Sequence, residues 1–490
     1  MGTCGKFINT SRVDELDLKK AIILFGAFCL FAPVAGFLIR RRPYFQRFVF
    51  LVMCYLSISG LWHAQEWGLT INSLWYRGTA RGFHFYWAEV AAVALIFAQM
   101  LGGWRRFRFL PPGLWLYFLY IALSFVSIIN AEVPLYTWFA VVKAVKMSVV
   151  FVAAYNFFRT EGDMRFGIFS LGVVVLCELV AVLNQKYVQH IYQVWGTFEH
   201  QNSLCMFTIL VGMVFLAAAM GPKQPLSNFY LLVFVASAAI VQSTLSRAGL
   251  AIFAFGTMMV VFLSLLDQPT KRRLSVLTGL GCVALLGLYM TMDTIVQRFN
   301  DYGNQESANT REMLNISSRM MLTDYPLGAG WNNFAHLINK PYPYGDHIDR
   351  WQIINGNPVD PDYKKGVVES LWWLLLSETG YQGFASFVLF IGVFLWWNVR
   401  NMLYFRKRTL GAISIGLLVG TSMNYLQSIL ERVLTQPRNA IFWLILLAAT
   451  ARIMVWRKQE IKVRRRLWRI RRAERMRKRF PMLPEHVMAA

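Results

Sequence analysis

Acidic side chains are scarce in this 490-residue chain: 26 Asp and Glu stand against 50 Lys and Arg, and charged residues of both signs make up only 16%. A soluble domain carries about a quarter charged residues, so an ordinary water-soluble globule is excluded. Cysteine is sparse too. Of Cys4, Cys29, Cys54, Cys177, Cys205 and Cys282, all but Cys4 fall in apolar stretches, and no pair has metal-ligand spacing. Neither a zinc site nor a disulfide framework is supported, and no cofactor is implied. The chain has no phosphate-cradling GxxxxGK(S/T) loop, no internal repeat and no inverted pair of Gly/Pro-broken helices. That argues against an ATP-driven pump and, more weakly, against an ion-coupled transporter. A cleavable leader is not expected, because the first apolar run follows about twenty mostly polar residues and ends in RRR without a small-residue cleavage site.

What the chain does have is apolar length. Hydrophobic residues make up 56% and fall in repeated blocks of about 17–25, the length of a membrane-spanning helix. The expected fold is all-α, a polytopic transmembrane bundle of about 12–13 spans with one large extracytoplasmic loop. Apolar spans begin near Ala21, Phe48, Phe85, Leu114, Leu135, Phe166, Ser203, Phe229, Leu250, Leu274, Val368, Leu410 and Asn439. Basic clusters follow every second span: 40–47, 105–108, 159–165, Lys223, 271–273, 406–408 and the tail from Arg457. The net charge of +24 therefore reads as positive charge kept on the cytoplasmic side, not as a nucleic-acid surface. The same alternation puts the N-terminus outside although Lys19 and Lys20 favour the inside; either the first span is an extra helix or an early segment does not cross. The organisation is a tail (1–20), helices (21–291), a large periplasmic loop (292–367), helices (368–455) and a basic cytoplasmic tail (456–490). The tail interleaves Lys and Arg with Leu467, Trp468, Ile470 and Met476; it is an amphipathic arm for anionic lipid or a partner, or an exaggerated topology signal.

Ionisable side chains within spans are expensive and so are functional candidates. Glu89 starts the third span and can sit at the interface. Lys143 and Lys146, three apart, share a helix face, and Glu178 is the carboxylate expected to neutralise them; a cationic patch for an anionic lipid head group is the alternative. On the outer side, Glu199-His200-Gln201-Asn202 precedes an apolar span, where Asn202 or Ser203 can act as N-cap. In STLSRAGLAIF, Arg247 runs against the positive-inside bias, and a bidentate phosphate ligand is a good reason for it; snorkelling is the bland one. Within 292–367, Arg311 and Arg319 sit on a helix-like stretch and are expected to face similar sides about two turns apart. A Pro-Leu-Gly-Ala-Gly break follows, then a Tyr-, Trp-, Asn- and Asp-rich segment with His336 and His347 that suits a sugar surface or is simply hydrophilic. The next span opens with Val368-Glu369-Ser370 and carries Glu378-Thr379-Gly380. Glu369 can serve the helix dipole or act as a general base.

In this order, GTFEHQN, SRAG, TREMLN…DYPLGAGWNNF and ESLWWLLLSETGYQG resemble motifs of the O-antigen ligase and polysaccharide polymerase family of bacterial membrane glycosyltransferases, over roughly residues 190–400. The resemblance implies a multi-pass protein of the bacterial inner membrane and a metal-independent, inverting glycosyl transfer at its periplasmic face. The implied donor is a glycan on undecaprenyl pyrophosphate, with Arg247 and Arg311 as pyrophosphate ligands. Arg319, His200, Asn202, Lys143 and Lys146 complete the expected substrate-binding set. Glu369 is the expected base where the family often has His-Asn, with His336 or His347 swinging in from the loop as the alternative. The leading expectation is a polymerase of lipid-linked repeat units; a ligase to a lipid A core or protein acceptor shares the fold and donor. A glycolipid transporter and a scaffold for polysaccharide-assembly partners are the readings from other classes. Membrane lipids are partners in every case.

Overall fold

Runs of Leu, Val, Phe and Ala too long for a soluble core become helices, because only a helix satisfies its own backbone away from water. The computed structural model describes residues 23, 25–58, 67–70, 77–279, 281, 303–348, 353–354, 357–358 and 365–479. The N-terminal tail 1–20, most of the span expected from Leu274, and residues 292–302 and 359–364 lie outside the described residues. Among the described residues, apart from two short ribbons, β1 (Trp67–Thr70) with β2 (Gly82–Phe85) and β3 (Ile353–Ile354) with β4 (Asn357–Pro358), the regular structure is helical. Shorter helices come first: α1 (Ala27–Ile39), α2 (Pro43–Leu56), α3 (Trp87–Leu101) and α4 (Leu114–Asn130). Then follow α5 (Pro134–Phe157), α6 (Glu161–Val188), α7 (Gln201–Met220), α8 (Ser227–Thr244) and α9 (Arg247–Asp267). Helices α10 (Gly303–Asp324) and α11 (Phe334–Leu337) lead to α12 (Leu371–Tyr404), α13 (Thr409–Gln427) and α14 (Pro437–Arg479).

Among the described residues eight helices, α5–α9 and α12–α14, are long and apolar enough to cross a membrane. They match eight of the thirteen expected spans; α1, α3 and α4 are apolar but shorter, and the span expected from Phe48 is the 14-residue α2. Helix α7 is apolar on every side and is buried along its whole apolar window, as a helix without a polar face must be. It is the axis of the bundle, packed by α8, α9 and α13.

The basic loops meet at one end. Arg47 pairs with Asp163 at 2.9 Å, Arg273 and Arg406 share Asp267, and Arg408 pairs with Glu460 at 3.0 Å. The Asn156 side chain accepts from Arg108 N and donates to Arg108 O there, and Arg273 Nε donates to Met220 O at the end of α7. The other end is covered by residues 303–348 and the 77–86 stretch, which carry an apolar cluster of their own including Leu314, Met321, Phe334, Leu337 and Ile348. The long stretch between spans is thus a folded cap in its described part.

Two glycine motifs explain how the cap is seated. Gly328, at φ +91°, lies backbone to backbone against Gly380, at φ +68° inside α12; a Cβ on Gly328 would stand 2.5 Å from Glu378 O, and one on Gly380 would stand 2.3 Å from the Leu327 carbonyl carbon. Only a residue with no Cβ tolerates both the left-handed φ and the approach. Ala329 N donates to Ser377 O at 2.8 Å and Phe334 N to Glu378 Oε1 at 3.2 Å, so the break in α12 is hydrogen-bonded by the cap. Asn332 then receives Thr79 Oγ1 and Ala80 N and donates to Ala80 O and Tyr136 O, which ties in the 77–86 stretch and α5.

Candidate functional site

Where the cap meets the bundle, four elements bring charged side chains together. Arg311 projects from α10. Its Nε donates to Glu369, just ahead of the α12 N-cap Ser370, and its Nη2 donates to Glu431 Oε1 at 2.9 Å in the connection from α13 to α14. Asn202, in the first turn of the central α7, donates its Nδ2 to the same Glu431 oxygen. His200 caps that helix, accepting from Asn202 N through Nδ1 at 3.2 Å. Leu371 N donates to Ser428 O at 3.0 Å, which holds the start of α12 against the end of α13 and keeps the two glutamates in register.

The electrostatics follow from half-burial of like and unlike charges. Burial pushes the Glu431 carboxyl up to about 7, Glu369 adds to that, and Arg311, Arg432 and the Asn202 hydrogen bond pull the other way. Burial also works against the charge of Arg311, but Glu369 and Glu431 outweigh it and hold the guanidinium above its usual range. Burial lowers His200, with Glu369 opposing and Arg311 and Arg432 reinforcing, which favours the neutral imidazole that accepts as the cap.

Arg432 is the hinge between this cluster and a second feature. It lies in the field of Glu369, Glu431, Glu378 and Glu199, and it lines a polar cleft of about 320 Å³ with Arg77, Arg81, Lys143, Lys146 and His84. His84 is pushed down to about 4 by burial first and then by Lys146, Lys143 and Arg81, which registers how cationic the cleft is. Thr79, Lys143 and Thr435 also line a neighbouring apolar cavity walled by Tyr117, Tyr120, Leu374 and Trp443. Cationic and apolar space therefore adjoin at the bundle mouth.

Several expected partners are different. Glu178 does not neutralise the lysines: it accepts from the Thr197 amide and hydroxyl and serves the 185–198 connection. Lys146 pairs with Glu89 at 3.3 Å and donates to His84 O, and Lys143 donates to Thr79 O at 2.8 Å. The reason is helix rotation: α5 turns this face toward α3 and β2, so Glu89 is a buried counter-charge, not an interfacial group. Arg319 does not share the surroundings of Arg311; it pairs with Glu312 at 3.5 Å and lies 5.0 Å from the Trp373 ring centre. Eight residues advance a helix by two turns plus about 80°, enough to give it other neighbours. His336 sits between the rings of Tyr136 and Tyr342, and His347 Nε2 is bonded to Met313 O at 2.9 Å; both belong to the cap's packing. Arg247 opens α9, whose Ser246 and Gly249 lie on Cys205 in the first turns of α7, so it is at the same mouth as Asn202.

Sequence reading missed Glu431, Arg432, Arg77 and Arg81. One signal was available: Arg432, like Arg247, falls in a loop that the charge alternation of the sequence assigns to the outside, where positive charge is disfavoured. The described residues hold no group of three or more His, Cys, Asp or Glu able to hold a metal. Comparison with protein-family models and with curated proteins finds no match.

Proposed function

We propose that the chain is a membrane glycosyltransferase that polymerises undecaprenyl-pyrophosphate-linked repeat units at the periplasmic face of a bacterial inner membrane. The observation that carries this reading is the convergence of Arg311, Glu369, Glu431 and Asn202 beside a cationic cleft and an apolar cavity. A lipid-linked sugar diphosphate needs those three environments: fixed cations for the diphosphate, an apolar wall for the lipid, and a carboxylate for the acceptor hydroxyl.

The chemistry is one displacement. An acceptor hydroxyl oxygen bonds to the anomeric carbon while the bond from that carbon to the pyrophosphate oxygen breaks, and the pyrophosphate leaves with the electron pair. Negative charge grows on the leaving group, where Arg311 and Arg247 stabilise it. Two of the five donors of Arg311 are used by the glutamates, so three remain for phosphate oxygens. The hydroxyl proton goes to the carboxylate pair. Protonation of Glu431 falls in the neutral range, where a general base is most effective, so Glu431 takes the proton; Glu369, bonded to Arg311 Nε, orients the arginine.

Replacement of Arg311 by Ala tests the reading in the host. Accumulation of single lipid-linked repeat units is the expected result. Long chains retained on the carrier would instead identify a ligase, and normal glycan at normal protein level would overturn the enzymatic reading.

A further inference from the structure

A second site is formed at the opposite end of the bundle, where the basic loops meet. Several cations there are already partnered: Arg47 by Asp163, Arg273 and Arg406 by Asp267, Arg408 and Arg464 by Glu460, and Arg272 by the carbonyls of Ala219 and Gly221. Arg108, Lys458 and Lys462 are not. Among the described residues none of their side chains has an anionic or carbonyl partner, yet all three line one groove of about 420 Å³ between α4, α12 and α14. Lys458 and Lys462 are one turn apart and share a face of α14.

The rest of the groove is built for something amphiphilic. Trp115 and Trp397 form its sides and Met454 its floor, and Trp115 is 54% exposed. Indole rings beside cations are the arrangement found where a protein crosses the head-group layer of a bilayer. The start of α4 also faces the groove through Pro112, Gly113 and Trp115, so the positive end of that helix adds to the field. Gly113 is required there: it stands at φ +89°, and a Cβ would fall 2.5 Å from the Phe394 ring.

We propose that this groove is a binding site for an anionic phospholipid, its phosphodiester held by Arg108, Lys458 and Lys462 and its acyl chains lying against Trp115 and Trp397. The cytoplasmic leaflet supplies such lipids, and basic pockets between spanning helices select them. The site is independent of the glycosyl-transfer reading and can be tested without it.

The test is lipid retention by the purified full-length protein, with native mass spectrometry after exchange from bilayer discs containing phosphatidylglycerol, cardiolipin and phosphatidylcholine. The protein is expected to keep about one anionic lipid per chain and no phosphatidylcholine. The variant R108Q/K458Q/K462Q is expected to lose that lipid at least about fivefold. The control R465Q/R466Q/R469Q removes as many charges from the exposed tail farther along α14 and is expected to retain it. Equal retention by the groove variant, equal loss in the control, or retention of phosphatidylcholine would each overturn the proposal. Because the groove cations are exposed, K458E alone should leave the melting temperature unchanged and still weaken retention, which separates binding from misfolding.

Discussion

Glu431 sits between two opposing demands. Its burial and the nearby Glu369 favour a proton, while Arg311 and Arg432 favour the anion, and the balance lies at about 7. If it is the base, only the ionised form is competent. The rate at low substrate should then rise tenfold per pH unit below about 7 and level off above it. Stability should move the other way. A carboxyl whose folded pKa is raised holds a proton that the unfolded chain has already released, so its contribution is full below the ordinary carboxylate range and is lost as pH rises through about 7. Rates measured with lipid-linked substrate and thermal unfolding, both between about pH 5.5 and 8.5, check the two trends. In Glu431→Gln the rising limb should vanish along with at least about 99% of the activity, whereas Glu369→Gln should keep the limb. A wild-type limb unchanged by Glu431→Gln would return the base role to Glu369 or to a cap histidine.

At the scale of elements, the seat between the cap and α12 is the part most sensitive to a single atom. Gly380→Ala forces a non-glycine residue to a φ of +68° and puts a Cβ within 2.6 Å of Pro326 O and Gly328 N. Left-handed strain and overpacking each cost about 1–3 kcal/mol. The melting temperature should fall by several degrees, and activity should fall with it because neighbouring Glu378 holds the Phe334 amide of the cap that carries Arg311. Gly392→Ala, on the same helix, meets nothing within 4 Å and should be neutral or slightly stabilising. Equal effects of the two changes would remove the docking argument. These elements also show what could be read from residue order. Span positions and the gathering of basic loops at one end were legible, because apolar length and loop charge are one-dimensional signals. The cap helix around Arg311 was legible from its spacing. The partner of Lys146 was not: Glu178 was the expected carboxylate, and Glu89 takes its place because the rotation of α5 cannot be read from residue order. Glu431 was invisible for a similar reason: it lies in a short connection whose importance comes only from what α7, α10 and α12 bring to it.

For the whole molecule, the issue is whether the chain acts through its mouth or as a dock for partners through its basic arm. Helix α14 runs without interruption from Pro437 to Arg479, so the arm continues a spanning helix. Glu460 ties it to the bundle by holding Arg408 at 3.0 Å and Arg464 at 2.9 Å, and Arg464 lies 5.4 Å from the centre of the Tyr404 ring on α12. From there to residue 472 the side chains are exposed apart from partly covered Ile461. Ending the chain after Lys462 keeps the Arg408 latch and the groove cations Lys458 and Lys462, and gives up the contact of Arg464 with Tyr404. If function resides in the junction of Arg311, Glu369 and Glu431, the truncated protein should accumulate normally and support glycan synthesis within about twofold of the full chain, a change no larger than about 0.4 kcal/mol in the barrier. Ending it after Val455 should do worse for a structural reason: removing Glu460 releases Arg408, and protein level should fall before chemistry does. Full loss of glycan synthesis in the first truncation, at normal protein level and with lipid-linked donor present, would instead make the arm the functional part and the charged mouth its support.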